Sequence, residues 1–125
     1  MNPTMRMPGR KAHFESIKAP VTKIAAQLLE ILGARLSALV VGLSDPKAMG
    51  EYAKGARTPQ PDTDAKMRVA HQVIVTLLSG NLPRETIQAW FVGMNPDLDD
   101  EPPARVILES PKKVLDAAKA FVEEA

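Results

Sequence analysis

Apolar residues recur along most of the chain at helical spacing. Val21, Ile24, Ala25, Leu28, Leu29 and Leu32 fall on one stripe of a first helix, which Gly33 closes. Leu36, Leu39, Val40 and Leu43 repeat that spacing over a shorter second helix from about Ala34 to Gly42. The next stretch, LSDPKAMGEYAKGARTP from Leu43 to Pro59, begins with a turn at Ser44 and Asp45. Asp45 is a good N-cap, because its carboxylate can accept a hydrogen bond from a free amide of the following turn. Pro46 suits the first helical position, where a missing N–H is no loss. The third helix should stop near Lys54, since Gly55 suits the left-handed position that ends a helix and Pro59 and Pro61 oppose any resumption. At about nine residues it is too short to be stable alone. Helix, short helix, tight turn and short helix is the layout of a helix-turn-helix.

Beyond the prolines, Asp62 or Thr63 can cap a long fourth helix carrying Met67, Ala70, Val73, Ile74, Leu77 and Leu78 on one face, ended by Gly80 and Asn81. Pro83 opens a helix to about Phe91 with Ile87, Trp90 and Phe91 on its apolar side. Asn95 to Glu101 is acidic and rich in turn residues, and reads as a loop of solvated charge. Pro103 can start a short helix over Ala104, Val106, Ile107 and Leu108. Ser110 and Pro111 start a final one with Val114, Leu115, Ala118, Phe121 and Val122 as its apolar stripe. No stretch alternates with period two and there is no Asn-Gly hairpin. The expected fold is all-α: a small helical bundle with a flexible basic tail at 1–20, a helix-turn-helix domain with its long connecting helix at 21–80 and a C-terminal helical module at 81–125.

Composition narrows the chemistry. With 125 residues the chain holds one modest core, and Lys23, Gln27, Glu30 and Arg35 interrupt its apolar stretches before the roughly 20 residues that span a bilayer. No membrane role is expected. The absence of cysteine removes disulfides, thiol catalysis and thiolate metal sites and leaves a cytoplasmic location as the default. His13 lies in the tail and His71 on the flank of the fourth helix, neither with a partner at metal-ligand spacing. The acidic loop lacks the alternation of a calcium loop, and no glycine-rich phosphate loop or serine–histidine arrangement is present. No catalytic residue, metal or cofactor is therefore assigned. The net charge of +1 supplies no global attraction to nucleic acid, so DNA binding must be local or assisted by self-association. Local cations exist: base contacts from Lys47, Met49, Glu51 and Lys54 on the third helix, with Arg57, Lys66 and Arg68 on phosphates, are the arrangement a recognition helix would use. Gly50 and the acidic residues Asp45, Glu51, Asp62 and Asp64 work against it.

Ala89 to Ala125, AWFVGMNPDLDDEPPARVILESPKKVLDAAKAFVEEA, resembles the toxin-binding module of the Xre/MbcA/ParS antitoxin family in its Trp-bearing helix, Asn-containing turn, Pro-led short helix and closing amphipathic helix. Trp90, Asn95, Leu98, Pro103, Val106 and Val114 match that pattern. The resemblance extends back through GEYAKGARTP to about Val21, with Tyr52 where the family often has an aromatic residue. Asp99 and Asp100 stand where the family loop usually carries Gly, and Ser110-Pro111 replaces Gly before the last helix. The resemblance implies a non-enzymatic antitoxin that occludes the cleft of an NAD-degrading RES-domain toxin and represses its own operon. Trp90, Asn95, Pro103, Phe121, Val122, Glu123, Glu124 and the terminal carboxylate are the expected toxin contacts. Two alternatives remain on the residues alone: a stand-alone regulator binding operator DNA as a dimer, and a helical adaptor with no DNA role. An antitoxin is expected to form a homo-oligomer or a hetero-oligomer with its toxin.

Overall fold

Gly33 sets the course of the N-terminal half. In the computed structural model, which describes residues 19–124, α1 (Val21–Val41) is broken at Gly33, whose φ of 82° and ψ of 171° divide it into arms 21–32 and 34–41. That backbone region is essentially restricted to glycine, and a Cβ there would meet nothing within 4 Å, so the demand comes from the backbone alone. The break also frees carbonyls at the end of the first arm, and Gln88 Nε2 donates to the Ile31 carbonyl at 2.8 Å. The tail expected at 1–20 lies outside the described residues except for Ala19 and Pro20, as do His13 and the carboxylate of Ala125.

The two following helix ends close in the same way. Gly42 has a φ of 81° and donates to the Leu39 carbonyl at 3.1 Å, while the Leu43 amide reaches the Ala38 carbonyl at 2.8 Å. Asp45 then accepts from the Lys47 amide at 2.9 Å, with Pro46 already in helical conformation, and α2 (Lys47–Lys54) begins where the cap predicts. It ends at Gly55 (φ 74°), with Gly55 N–H on the Tyr52 carbonyl and Ala56 N–H on the Glu51 carbonyl.

The long helix α3 (Pro61–Leu78) starts earlier than its expected caps. Pro61 itself opens it with no side-chain cap, and Asp62 and Thr63 lie within the first turn, where Asp62 and Asp64 favour the positive end of the helix. After α4 (Arg84–Val92) comes a single 3-10 turn at Pro96–Leu98, in which the Asn95 side chain accepts from the Asp97 amide at 2.9 Å. Asp99 (φ 56°) and Asp100 (φ 64°) are both left-handed, and an isolated bridge between Asn95 and Glu101 closes the loop. The helix at Pro103 is shorter than expected: α5 covers Pro103–Val106 and leaves Ile107 and Leu108 in the connection to α6 (Pro111–Glu124).

The described residues form no strand, and the fold is all-α. α1 packs on α2 and α3, α6 lies along α3, and α4 and α5 close against α1. The apolar cluster runs from Ile24 to Ala118 without interruption, so 21–80 and 81–125 share one core. By length and composition α1 could cross a membrane, with a mean hydropathy of 1.7, which corrects the expectation that its charges leave every stretch too short. Ile24, Ala25, Leu28, Leu32, Val40 and Val41 are spent instead on the core of this bundle.

Candidate interaction surfaces

The outer face of α2 is formed by Lys47, Gly50, Glu51 and Lys54, spaced i, i+3, i+4 and i+7, while Ala48, Met49 and Tyr52 turn inward. Met49 is 0% exposed, so the expected base contact is a core residue. The cations around this face divide into two groups. Arg57 bonds Glu51 at 3.1 Å and lies over the Tyr52 ring at 5.6 Å; the Glu51 hydrogen bond and the neighbouring Tyr52 raise its pKa above the ordinary value. Lys66 pairs with Asp62 at 3.1 Å, and Arg68 holds Asp64 at 2.6 Å and the Ala19 carbonyl at 2.8 Å. These three expected phosphate contacts thus already have partners within the chain. Lys47 and Lys54 enter no ion pair among the described residues. They flank a groove of about 420 Å³ whose other wall is Leu29 and Ala34 of α1. Gly50 lies between them with no left-handed backbone and with no atom within 4 Å of a built Cβ. Nothing in the fold demands glycine there, although glycine inside a helix costs about 1 kcal/mol relative to alanine. Its effect is to leave the α2 backbone open to close approach.

At the C-terminal end the residues expected to touch a partner mostly build the module. Trp90 is 8% exposed and meets Phe91 edge-on at 5.2 Å. Asn95 is buried and holds the 3-10 turn, and Pro103 is buried at the start of α5. Phe121 and Val122 are half-buried on their own bundle, Phe121 with its ring 6.3 Å from Trp90 and Val122 against Gly80, where a Cβ would meet its Cγ1 at 3.1 Å. The physical reason is α6 itself, which lies back along α3 and covers its own apolar stripe. Of the expected contacts, Glu123 and Glu124 are exposed.

The exposed feature of the module is one that local sequence reading missed. A cleft of about 480 Å³ between the 95–101 loop and α6 is lined by Asp97, Asp99, Glu101, Glu109 and Asp116, against one cation, Lys113. The loop alone carries three of these carboxylates; the turn after α5 and the middle of α6 bring the other two. No group of three His, Asp or Glu side chains among the described residues is placed to hold a metal. The cleft belongs to a wider asymmetry. Residues 1–80 hold 11 Lys and Arg and 6 Asp and Glu, a balance of +5, whereas residues 81–125 hold 5 and 9, a balance of −4, which together give the net +1.

His71, expected on the flank of its helix, is buried and paired with the Gln27 side-chain oxygen. Burial first, and then the charge of Arg68, lower its pKa from the ordinary 6.5. The unfolded chain therefore takes up the proton at higher pH than the folded one. The stability contributed by neutral His71 is complete above about pH 6.5 and is lost as the pH falls from there through the lower folded value. The melting temperature should fall between about pH 7.5 and 5.5, and His71→Gln, which keeps a polar group beside Gln27, should flatten that dependence. An equal slope in the variant would assign the effect to other groups.

The chain matches no family model, no curated protein and no solved structure.

Proposed function

We propose that the chain is a cytoplasmic, non-enzymatic antitoxin with two oppositely charged working surfaces. The acidic C-terminal surface engages a RES-domain NAD-degrading toxin, and the face of α2 engages operator DNA. The observation that carries the reading is the charge segregation: a cleft with five carboxylates against one lysine suits a partner whose own cleft is cationic. A site that binds a dinucleotide needs cations for its phosphates, and carboxylates placed among them compete directly. Glu123 and Glu124, exposed at the end of α6, extend that surface. The resemblance of Ala89 to Ala125 to an antitoxin module supports the same assignment. The N-terminal half supports the DNA role through Lys47 and Lys54, which are free to reach phosphates on either side of the bare Gly50 backbone. A stand-alone DNA-binding regulator is the second reading, favoured by those two free cations.

Substituting exposed charges tests both halves without removing core atoms. Truncation after Ala118 would not, because it also removes Phe121 from Trp90. Asp97→Lys with Asp116→Lys should weaken toxin binding by roughly tenfold or more and release toxin activity in co-expressing cells. Lys47→Ala with Lys54→Ala should weaken operator binding and reduce the slope of log affinity against log salt by about 2. Toxin neutralisation that survives the acidic reversal defeats the antitoxin assignment. An unchanged salt slope defeats the DNA assignment of α2 and leaves the toxin result standing.

A further inference from the structure

Five of the six described glycines are accounted for by the fold. Gly33, Gly42 and Gly55 have φ between 74° and 82°, and a Cβ added at Gly80 or Gly93 would crowd Val122 or the Ala89 carbonyl oxygen at 3.1 Å. Gly50 is the exception: it lies inside α2, outside the left-handed region, with open space where a side chain would be. Alanine there would favour the folded state by roughly fivefold. Gly50 stands between Lys47 and Lys54 on the wall of the groove of about 420 Å³ that separates α2 from α1. Leu29, Ala34 and Pro46 supply apolar walls to that groove. The Glu51 carboxylate lines it too, but accepts from Arg57 at 3.1 Å, which offsets its charge.

We propose that this groove takes one sugar–phosphate strand of duplex DNA, with the deoxyriboses against the bare Gly50 backbone and the phosphates on Lys47 and Lys54. This contact rests on the DNA reading of α2 and adds to it a residue that acts by having no side chain. Spacing and polarity both fit the strand. Seven residues of helix set the two lysines about 10 Å apart along the axis, the rise of roughly three nucleotides on one strand. Phosphates can therefore meet both ammonium groups while the sugars between them lie on carbon, against Leu29, Ala34, Pro46 and the Gly50 Cα. A Cβ at position 50 would have no atom of the protein within 4 Å and would stand in the space the strand needs. A second copy of the chain seated there would set four lysines against one another, and a basic partner would meet the same repulsion.

The test reads affinity and stability on the same full-length variants. Fluorescence anisotropy follows binding to a duplex spanning the chain's own promoter, and circular dichroism in urea follows unfolding. Gly50→Ala should raise the urea midpoint yet weaken DNA binding by about tenfold. Gly50→Leu, which fills the groove and leaves every charge in place, should stay folded and weaken binding by roughly a hundredfold. Toxin neutralisation should be unchanged in both. A glycine kept for folding would move stability and affinity down together, so a lower urea midpoint in Gly50→Ala overturns the inference. DNA affinity within about threefold of wild type in Gly50→Leu overturns it alone and leaves the DNA reading of α2 in place. A wild type that binds no duplex overturns both. If Gly50→Leu keeps its DNA but loses its toxin, the groove belongs to a protein partner, and the inference is likewise overturned.

Discussion

Met49→Ala will lower the free energy of unfolding by about 2–5 kcal/mol, whereas Lys47→Ala two residues earlier will change it by less than about 0.5 kcal/mol. The two side chains leave the same short helix on opposite sides. Met49 is 0% exposed and belongs to the common apolar cluster, while Lys47 is exposed and unpaired. α2 is eight residues long and gains its helical stability from docking on α1 rather than from its own hydrogen bonds. Truncating Met49 therefore removes packing that the helix cannot replace locally, and the cavity adds to the loss. Urea unfolding followed by circular dichroism measures both variants. A Met49→Ala loss below about 1 kcal/mol would place the side chain outside the core and return it to the surface set.

The parts of the fold that local chemistry specifies were legible in the chain. Gly33, Gly42 and Gly55 each stand at a backbone conformation that excludes most other residues, and Asp45 caps where its carboxylate can reach the next amide. Those signals span a few residues and need no knowledge of the rest. The misplaced residues depend on what packs where. Met49 was assigned outward by its place in a helix-turn-helix layout, although its partner Tyr52 three residues on marked an inward stripe. Asp62 and Thr63 are plausible caps that Pro61 pre-empts, because its fixed φ starts the helix without one.

The candidate surfaces show the same division. Lys47 and Lys54 were found by type and position, but that Arg57, Lys66 and Arg68 are already paired follows only from the fold. The acidic cleft draws on residues 97–101, 109 and 116, which no local window contains. Asp99 and Asp100 both take the left-handed conformation that glycine adopts most readily. This left-handed pair also presents two exposed carboxylates, of which Asp99 lines the acidic cleft.

Trp90→Ala will destabilise the fold by about 3–5 kcal/mol, but Trp90→Phe will cost less than about 1.5 kcal/mol. The difference lies in the aromatic ring, because both substitutions remove the indole N–H. Trp90 Nε1 is buried with no hydrogen-bond partner among the described residues, and a buried donor left unpaired carries a penalty of about 1–3 kcal/mol in the folded state. Alanine removes the ring, its edge contact with Phe91 and its contact with Phe121 together. Phenylalanine keeps an aromatic ring between those two, loses some apolar area and removes the unpaired N–H, so the terms oppose each other. Trp90 is the single tryptophan, so unfolding must be followed by circular dichroism rather than by its fluorescence. A Trp90→Phe loss well above about 1.5 kcal/mol would mean that the indole N–H has a partner in solution. Binding supplies the second readout for the toxin partner proposed above: because Trp90 supports the module from inside, Trp90→Phe should keep that affinity within about threefold. If that variant folds as wild type yet fails to bind, the partner reaches the indole N–H and Trp90 is a contact after all.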